Sequence, residues 1–216
     1  MHPTPFQDRH DAGRRLAAAL AHHAGEAGAL VLALPRGGVP VGAEVAAALG
    51  LPLDILVVRK LGVPGHEEYA MGAIAGGGVK VLHEPVLQML RIPAVAVARV
   101  VAREQEELAR RERAYRGDRP LPVLGARTVL LVDDGLATGA SMEAALAVVQ
   151  RQHPARVVVA VPVAPAETLA RLRDLADEVV CVLTPEPFDA VGSWYRDFPQ
   201  TSDDEVRTLL GAAPRC

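Results

Sequence analysis

Apolar residues recur along this chain in two alternating rhythms, short runs and longer stretches at helical spacing. The short runs lie at 30–34, 53–58, 129–132, 157–161 and 179–183, are rich in Val and Leu, and are unbroken except for Asp54 in the second. Runs of this length predict strands buried on both faces. Between them, residues 8–27 carry Leu16 and Leu20 at helical spacing, 40–49 form a small-residue helix, and 141–150 and 166–175 repeat the helical period. His22 and His23, near the end of the first stretch, are expected to be solvated. Residues 94–115 predict a long helix, and the mixed charges of 103–113 read as a solvated face held by i, i+4 pairs. The alternation implies an α/β fold with one mostly parallel sheet flanked by helices.

Two segments break the rhythm. Residues 60–69 are polar and carry Gly and Pro, so they read as an exposed loop, followed by a hairpin of 71–74 and 79–83 around Gly76-Gly77-Gly78. Residues 184–200 hold Phe188, Trp194, Tyr195 and Phe198 in a chain with only three Phe, three Tyr and one Trp, so this tail is either a minor core or a stacking surface. Ser202-Asp203-Asp204-Glu205 then opens a last helix with a capping-box signature.

Composition narrows the function classes. With 216 residues, half of them apolar, one domain spanning 1–216 can bury its own core, built mainly from Val, Leu and Ala. A net charge of −3 without a long basic run argues against nucleic acid as a partner and favours small substrates. Cys181 and Cys216 form no metal or disulfide pattern, and Cys181 reads as a buried structural residue. Neither a signal pattern nor a membrane-spanning run is evident, so a cytoplasmic location without membrane association is expected.

Candidate chemistry concentrates at 129–142, where the run Val-Leu-Leu-Val stops at Asp133-Asp134 and continues Gly135-Leu136-Ala137-Thr138-Gly139-Ala140-Ser141-Met142. Two carboxylates thus stand at the carboxyl end of a strand, where open α/β sheets bind ligands. The following glycines admit close backbone approach, and a helix start near Ser141 offers N–H groups to an anion. A phosphate fits the loop, and hydroxyls or a divalent cation fit the acids.

This segment resembles the phosphoribosyl pyrophosphate (PRPP) motif of the type I phosphoribosyltransferases: a hydrophobic strand, two acids, two variable residues, a small or acidic residue, then Thr-Gly-x-Ser/Thr. The resemblance implies that Asp133 and Asp134 meet the ribose hydroxyls and are catalytic, and that Ala137, Thr138, Gly139, Ala140 and Ser141 hold the 5′-phosphate. It further implies Mg²⁺ as cofactor, with Asp133 and Asp134 as candidate ligands, partly through water. Pro35-Arg36-Gly37-Gly38 resembles the family's pyrophosphate loop, where an unusual cis peptide often occurs. Arg59-Lys60 and the residues after them resemble its mobile lid, in the Arg-Lys-x-Gly-x-Pro-Gly form of adenine enzymes. Arg36, Gly37, Gly38, Arg59 and Lys60 are therefore expected on pyrophosphate, with Lys60 also catalytic.

The fold so implied has about five strands and a small hood from 1–28 and 184–216, where Phe188, Trp194 or Tyr195 would stack on a base. Ala137 departs from the hypoxanthine-guanine branch, which carries an acid there, and this narrows the acceptor without fixing it. The implied reaction transfers 5-phosphoribosyl from PRPP to a nitrogenous base or related amine in salvage metabolism, releasing pyrophosphate; a homo-oligomer is left open. The rival is a non-catalytic sensor that uses the same cradle to gate a partner, and the Arg59-Lys60 segment favours catalysis. A nicotinamide-dependent oxidoreductase is the weakest reading, because no G-x-G-x-x-G follows the first strand.

Overall fold

In the computed structural model, which describes residues 4–117 and 122–213, the chain opens with α1 (Arg9–Ala19), whose Asp8 cap accepts the Asp11 N–H at 2.7 Å. A 3₁₀ turn at Ala21–His23 leads to β1 (Leu30–Ala33), α2 (Gly38–Leu49) and β2 (Leu53–Ile55). Then come β3 (Val58–Val63), β4 (His66–Ala75), β5 (Lys80–Leu82), α3 (Glu84–Met89) and α4 (Ala94–Arg116). The second half runs β6 (Thr128–Val132), α5 (Ala140–Gln150), β7 (Arg156–Val163), α6 (Ala166–Arg173), β8 (Glu178–Leu183) and, after a 3₁₀ turn at Val191–Trp194, α7 (Asp203–Ala212). Ser202 caps α7 by accepting the Glu205 N–H at 3.1 Å.

Five parallel strands form the central sheet in the order β2-β1-β6-β7-β8. Strand alternation divides the core into two layers. Val31, Ala33, Leu130, Val132, Val158 and Ala160 pack toward α1, α2, α4 and α7, while Leu30, Leu32, Val129, Leu131, Val157 and Val159 pack toward α5 and α6. Every residue of β1 and β6 is buried, which accounts for their apolar sequence, in β6 after Thr128. Chain order reverses between β1 and β6, so the loops leaving their carboxyl ends diverge and open a crevice there.

The expected exposed loop at 60–69 is corrected. Those residues belong to an antiparallel sheet, β3-β4-β5, whose first hairpin turns at Pro64-Gly65. Leu61, Met71 and Ile74 of this sheet enter one core layer and Ala73, Ala75 and Val81 the other, so burial on both sides holds the segment in strands. The run 53–58 divides accordingly between β2 and β3.

The segment before α1 meets the segment after β8. Phe6 pairs with Tyr195 as an isolated bridge, the Phe6 N–H donates to the Trp194 carbonyl at 2.8 Å, and the Phe6 carbonyl accepts the Arg196 N–H at 2.9 Å. Helix α1 stops at Ala19 rather than at residue 27, and His23 is buried rather than solvated. The charged half of α4 is also less solvated than its composition suggests: Glu104 and Arg116 are buried, and Arg116 donates to Asp54 at 2.6 Å and to the Ile55 carbonyl at 2.7 Å. Among the described residues, no helix is long and apolar enough to cross a membrane.

Candidate active site

Two loops converge at the crevice. The Pro35-Arg36 peptide after β1 is cis, and it delivers Gly37 and Gly38 against the acidic pair that follows β6. A Cβ on Gly37 would lie 2.0 Å from Asp134 Oδ2, and one on Gly38 would lie 2.8 Å from the Val132 carbonyl oxygen and 2.9 Å from Asp133 Cα. Both positions therefore require glycine for close approach, not for an unusual φ.

Asp133 accepts the Asp134 N–H at 2.8 Å through Oδ1. Burial, and then the neighbouring Asp134 charge, pushes the Asp133 carboxyl well above the usual carboxylate range. Burial raises Asp134 as well, against the opposing pull of Arg9.

Arg9 gave no local signal in the sequence, yet its Nε donates to Asp134 Oδ2 at 2.8 Å and its Nη1 to the Pro199 carbonyl at 2.6 Å. Its guanidinium also lies 3.8 Å from the centre of the Phe198 ring. Tyr195, in turn, donates its hydroxyl to the Asp134 backbone carbonyl. Its ring packs between Phe6 and Phe198, at centroid distances of 5.3 and 4.7 Å, and is buried. The stacking expected of Tyr195 on a base is corrected, since both ring neighbours are its own core. Phe188 and Trp194 are half-buried at the edge of the same cluster.

The loop after the acids is braced from α6. Leu136 donates its N–H to the Val163 carbonyl at 2.9 Å, Thr168 Oγ1 donates to the Ala137 carbonyl at 2.7 Å, and Arg171 donates to the Thr138 carbonyl at 2.6 Å. Gly139 adopts φ +79°, and α5 starts directly after it. The first-turn N–H groups of α5, at Ala140, Ser141 and Met142, have no intrahelical acceptor, and that of Ala140 donates to Thr138 Oγ1 at 3.4 Å.

A cavity of about 240 Å³ joins these parts; Pro35, Arg59, Lys60, Arg111, Asp133 and Ser141 line it. Arg111 comes from the stretch of α4 read as a solvated face, so that reading is corrected for this residue. It is held by Glu107, which accepts its Nε–H at 2.7 Å. Arg59 reaches the cavity while donating twice to Glu104 Oε2, at 2.9 and 2.6 Å. Arg36 instead faces Asp203 of α7 at 3.4 Å, and Tyr115 donates to the same carboxylate at 3.0 Å. Lys60 also borders a second cavity, of about 230 Å³, between β4 and α5.

Mg²⁺ is a hard ion that takes oxygen ligands and keeps several waters. The donor set fits it: Asp133 Oδ2 and Asp134 Oδ1 make no hydrogen bond within the described residues, while the other oxygen of each is engaged.

The model of the phosphoribosyl transferase domain matches residues 6–193. The chain is 51% identical over 211 residues to a Mycobacterium tuberculosis (strain H37Rv) protein named provisionally as a phosphoribosyl transferase, an alignment covering 97% of this chain and 47% of that protein. It thus spans about half the length of the curated relatives it matches. The crystal structure of TT1426 from Thermus thermophilus superposes with a TM-score of 0.87 at 48% identity, covering 96% of this chain and 98% of that one. The AQ2163 protein of Aquifex aeolicus shares the fold at 12% identity, with a TM-score of 0.52 over 95% of this chain and 86% of that one. With its acidic pair after the central strand and its fold shared along nearly the whole length, the chain belongs to the phosphoribosyl transferase domain family.

Proposed function

We propose that the protein transfers the 5-phosphoribosyl group from PRPP to a nitrogenous base or related amine and releases pyrophosphate. One observation carries this reading: Asp133 of the acidic pair, Ser141 in the first turn of α5, and the cations Arg59, Lys60 and Arg111 line a single cavity. The 5′-phosphate sits on the amides of 138–141, the ribose hydroxyls face Asp133 and Asp134, and pyrophosphate leaves toward Lys60, Arg59 and the Gly37-Gly38 turn. Bond breaking at C1 develops positive charge on the sugar, which the two carboxylates stabilise while the nitrogen nucleophile enters from the opposite face.

Mg²⁺, when bound with the substrate, supplies charge neutralisation for the pyrophosphate, and the free oxygens of Asp133 and Asp134 would hold it directly or through water. Arg9 and Tyr195 are positioning residues that fix Asp134 from its side chain and its backbone. The acceptor is read by a hood that the two chain ends form, with Phe188 and Trp194 at its edge. Cytoplasmic salvage metabolism is the setting this chemistry fits.

The test is pyrophosphate release from PRPP with Mg²⁺ over a panel of purines, pyrimidines, nicotinate and small amines. An Asp133→Asn/Asp134→Asn variant serves as control. Acceptor-dependent release lost in the variant supports transfer, whereas equal release by both proteins would sink it. PRPP binding without turnover across the panel would favour the sensor.

A further inference from the structure

At the opposite end of the sheet from the acidic pair, three imidazole and carboxylate groups converge. His22 Nε2 lies 2.8 Å from Glu178 Oε1, and His23 Nε2 lies 3.3 Å from Glu178 Oε2. One donor atom from each of the three residues falls within 4.8 Å of the others. We propose that His22, His23 and Glu178 form a binding site for a divalent transition-metal ion, Zn²⁺ foremost, that fastens the end of the first helical segment to edge strand β8.

The surroundings of His23 carry the argument. Its ring is 2% exposed, and its Nδ1 lies 2.6 Å from Glu26 Oε2. Thr128 Oγ1 donates to the other oxygen of Glu26 at 2.5 Å. Glu26, itself fixed by Thr128, thus holds the far nitrogen of the His23 ring, and Nε2 is turned toward Glu178. The His22 ring lies alongside, with centroids 4.2 Å apart, so both Nε2 atoms and the Glu178 carboxylate face one small space. One divalent ion there engages all three donors.

Ligand bonds of about 2.0–2.2 Å place neighbouring donors of a tetrahedral centre about 3.4 Å apart, so the ion would enter with small side-chain shifts, the half-exposed His22 ring opening from its 2.8 Å contact with Glu178 Oε1. Glu26 on the far nitrogen of His23 supplies the carboxylate–histidine–metal arrangement that fixes tautomer and ring orientation. Arg156 donates to Glu178 Oε2 at 2.8 Å and steadies the carboxylate, leaving Oε1 for the ion. His22 is half-exposed, so water can complete the shell. Two imidazoles select zinc, cobalt, nickel or copper over magnesium.

Thr128 opens β6 and Asp133 follows its end, which sets this site roughly 16 Å from the acidic pair at about 3.3 Å per residue. Its readout is therefore stability and metal content, not turnover.

Equilibrium dialysis of the full chain against Zn²⁺ in excess Mg²⁺ tests this, together with the visible spectrum of the Co²⁺-loaded protein and melting temperature with and without metal. One Zn²⁺ per chain, tetrahedral Co²⁺ bands and a rise in Tm of several degrees are expected. His22→Ala, at a half-exposed ring, and the near-isosteric Glu178→Gln should each weaken binding at least tenfold, while the metal-free melting temperature of His22→Ala stays near that of the parent. No saturable Zn²⁺ binding, or binding of parental affinity in both variants, would overturn the proposal.

Discussion

Arg9 Nε and Asp134 Oδ2 stand 2.8 Å apart although 125 residues separate them in sequence. Arg9 is thereby the residue through which the first helix holds the acidic pair, and its second contact, to the Pro199 carbonyl, draws in the tail. Replacing Arg9 by Ala leaves a poorly solvated carboxylate without its partner, so a loss of about 3 kcal/mol in chemical denaturation is expected. Arg9→Lys keeps the charge but not the fork that spans Asp134 and Pro199. It should recover part of the stability and leave the KM for PRPP raised; parental kinetics in Arg9→Lys would remove the positioning role.

The acidic pair should also cost the free protein stability at neutral pH. Because burial and Asp134 raise the Asp133 pKa, the folded chain holds that proton more tightly than the unfolded chain. Stability is then lost as pH rises from the ordinary aspartate value through the raised one, and the full cost is present above it. Asp133→Asn removes this cost. Its melting temperature should exceed the parent's at pH 8, and the gain should shrink as pH falls toward about 4, close to the pKa of an unperturbed aspartate. A gain equal at both ends of the range would point to packing rather than ionisation.

Gly37 and Gly38 are neighbours with different obligations. An added Cβ at Gly37 meets a carboxylate oxygen that Arg9 pins, so Gly37→Ala must displace Asp134 or break that pair. At Gly38 the obstacles are the Val132 carbonyl and Asp133 Cα, backbone of the central strand with no room to yield. Gly38→Ala is accordingly expected to lose about 1–3 kcal/mol of stability. Gly37→Ala should show its larger effect in kcat/KM. Urea denaturation and steady-state kinetics on both variants separate the two, and a reversed order would contradict the geometry.

The same contrast explains what the sequence displayed. The parallel strands were legible because β1, β6 and nearly all of β7 are buried on both faces and so stay apolar, and the acidic pair because its motif is contiguous from strand to helix. Residues 60–69 misled because Gly62, Pro64 and Gly65 are loop formers locally, while the burial of Leu61 and Met71 that makes the segment a hairpin is a tertiary fact. His23 misled for a similar reason: the acids that bury it, Glu26 and Glu178, are brought together only by the fold. Arg9 carried no signal, since its partner lies in the other half of the chain.

Arg111 was hidden among arginines of the same helix, and that setting provides its control. Arg110 and Arg111 both donate to Glu107, at 2.8 and 2.7 Å, but only Arg111 lines the 240 Å³ cavity. These exposed or half-exposed pairs contribute little to folding, so each Ala variant should stay within about 0.5 kcal/mol of the parent. A charged hydrogen bond to a substrate oxyanion contributes about 1.5–3 kcal/mol, which corresponds to a rise in the KM for PRPP of roughly tenfold or more on its removal. That rise is expected for Arg111→Ala and not for Arg110→Ala, with Arg111→Lys between them because it keeps charge without the planar fork. Equal kinetics in the two Ala variants would return Arg111 to the solvated face of α4 and leave Arg59 and Lys60 as the cavity's cations.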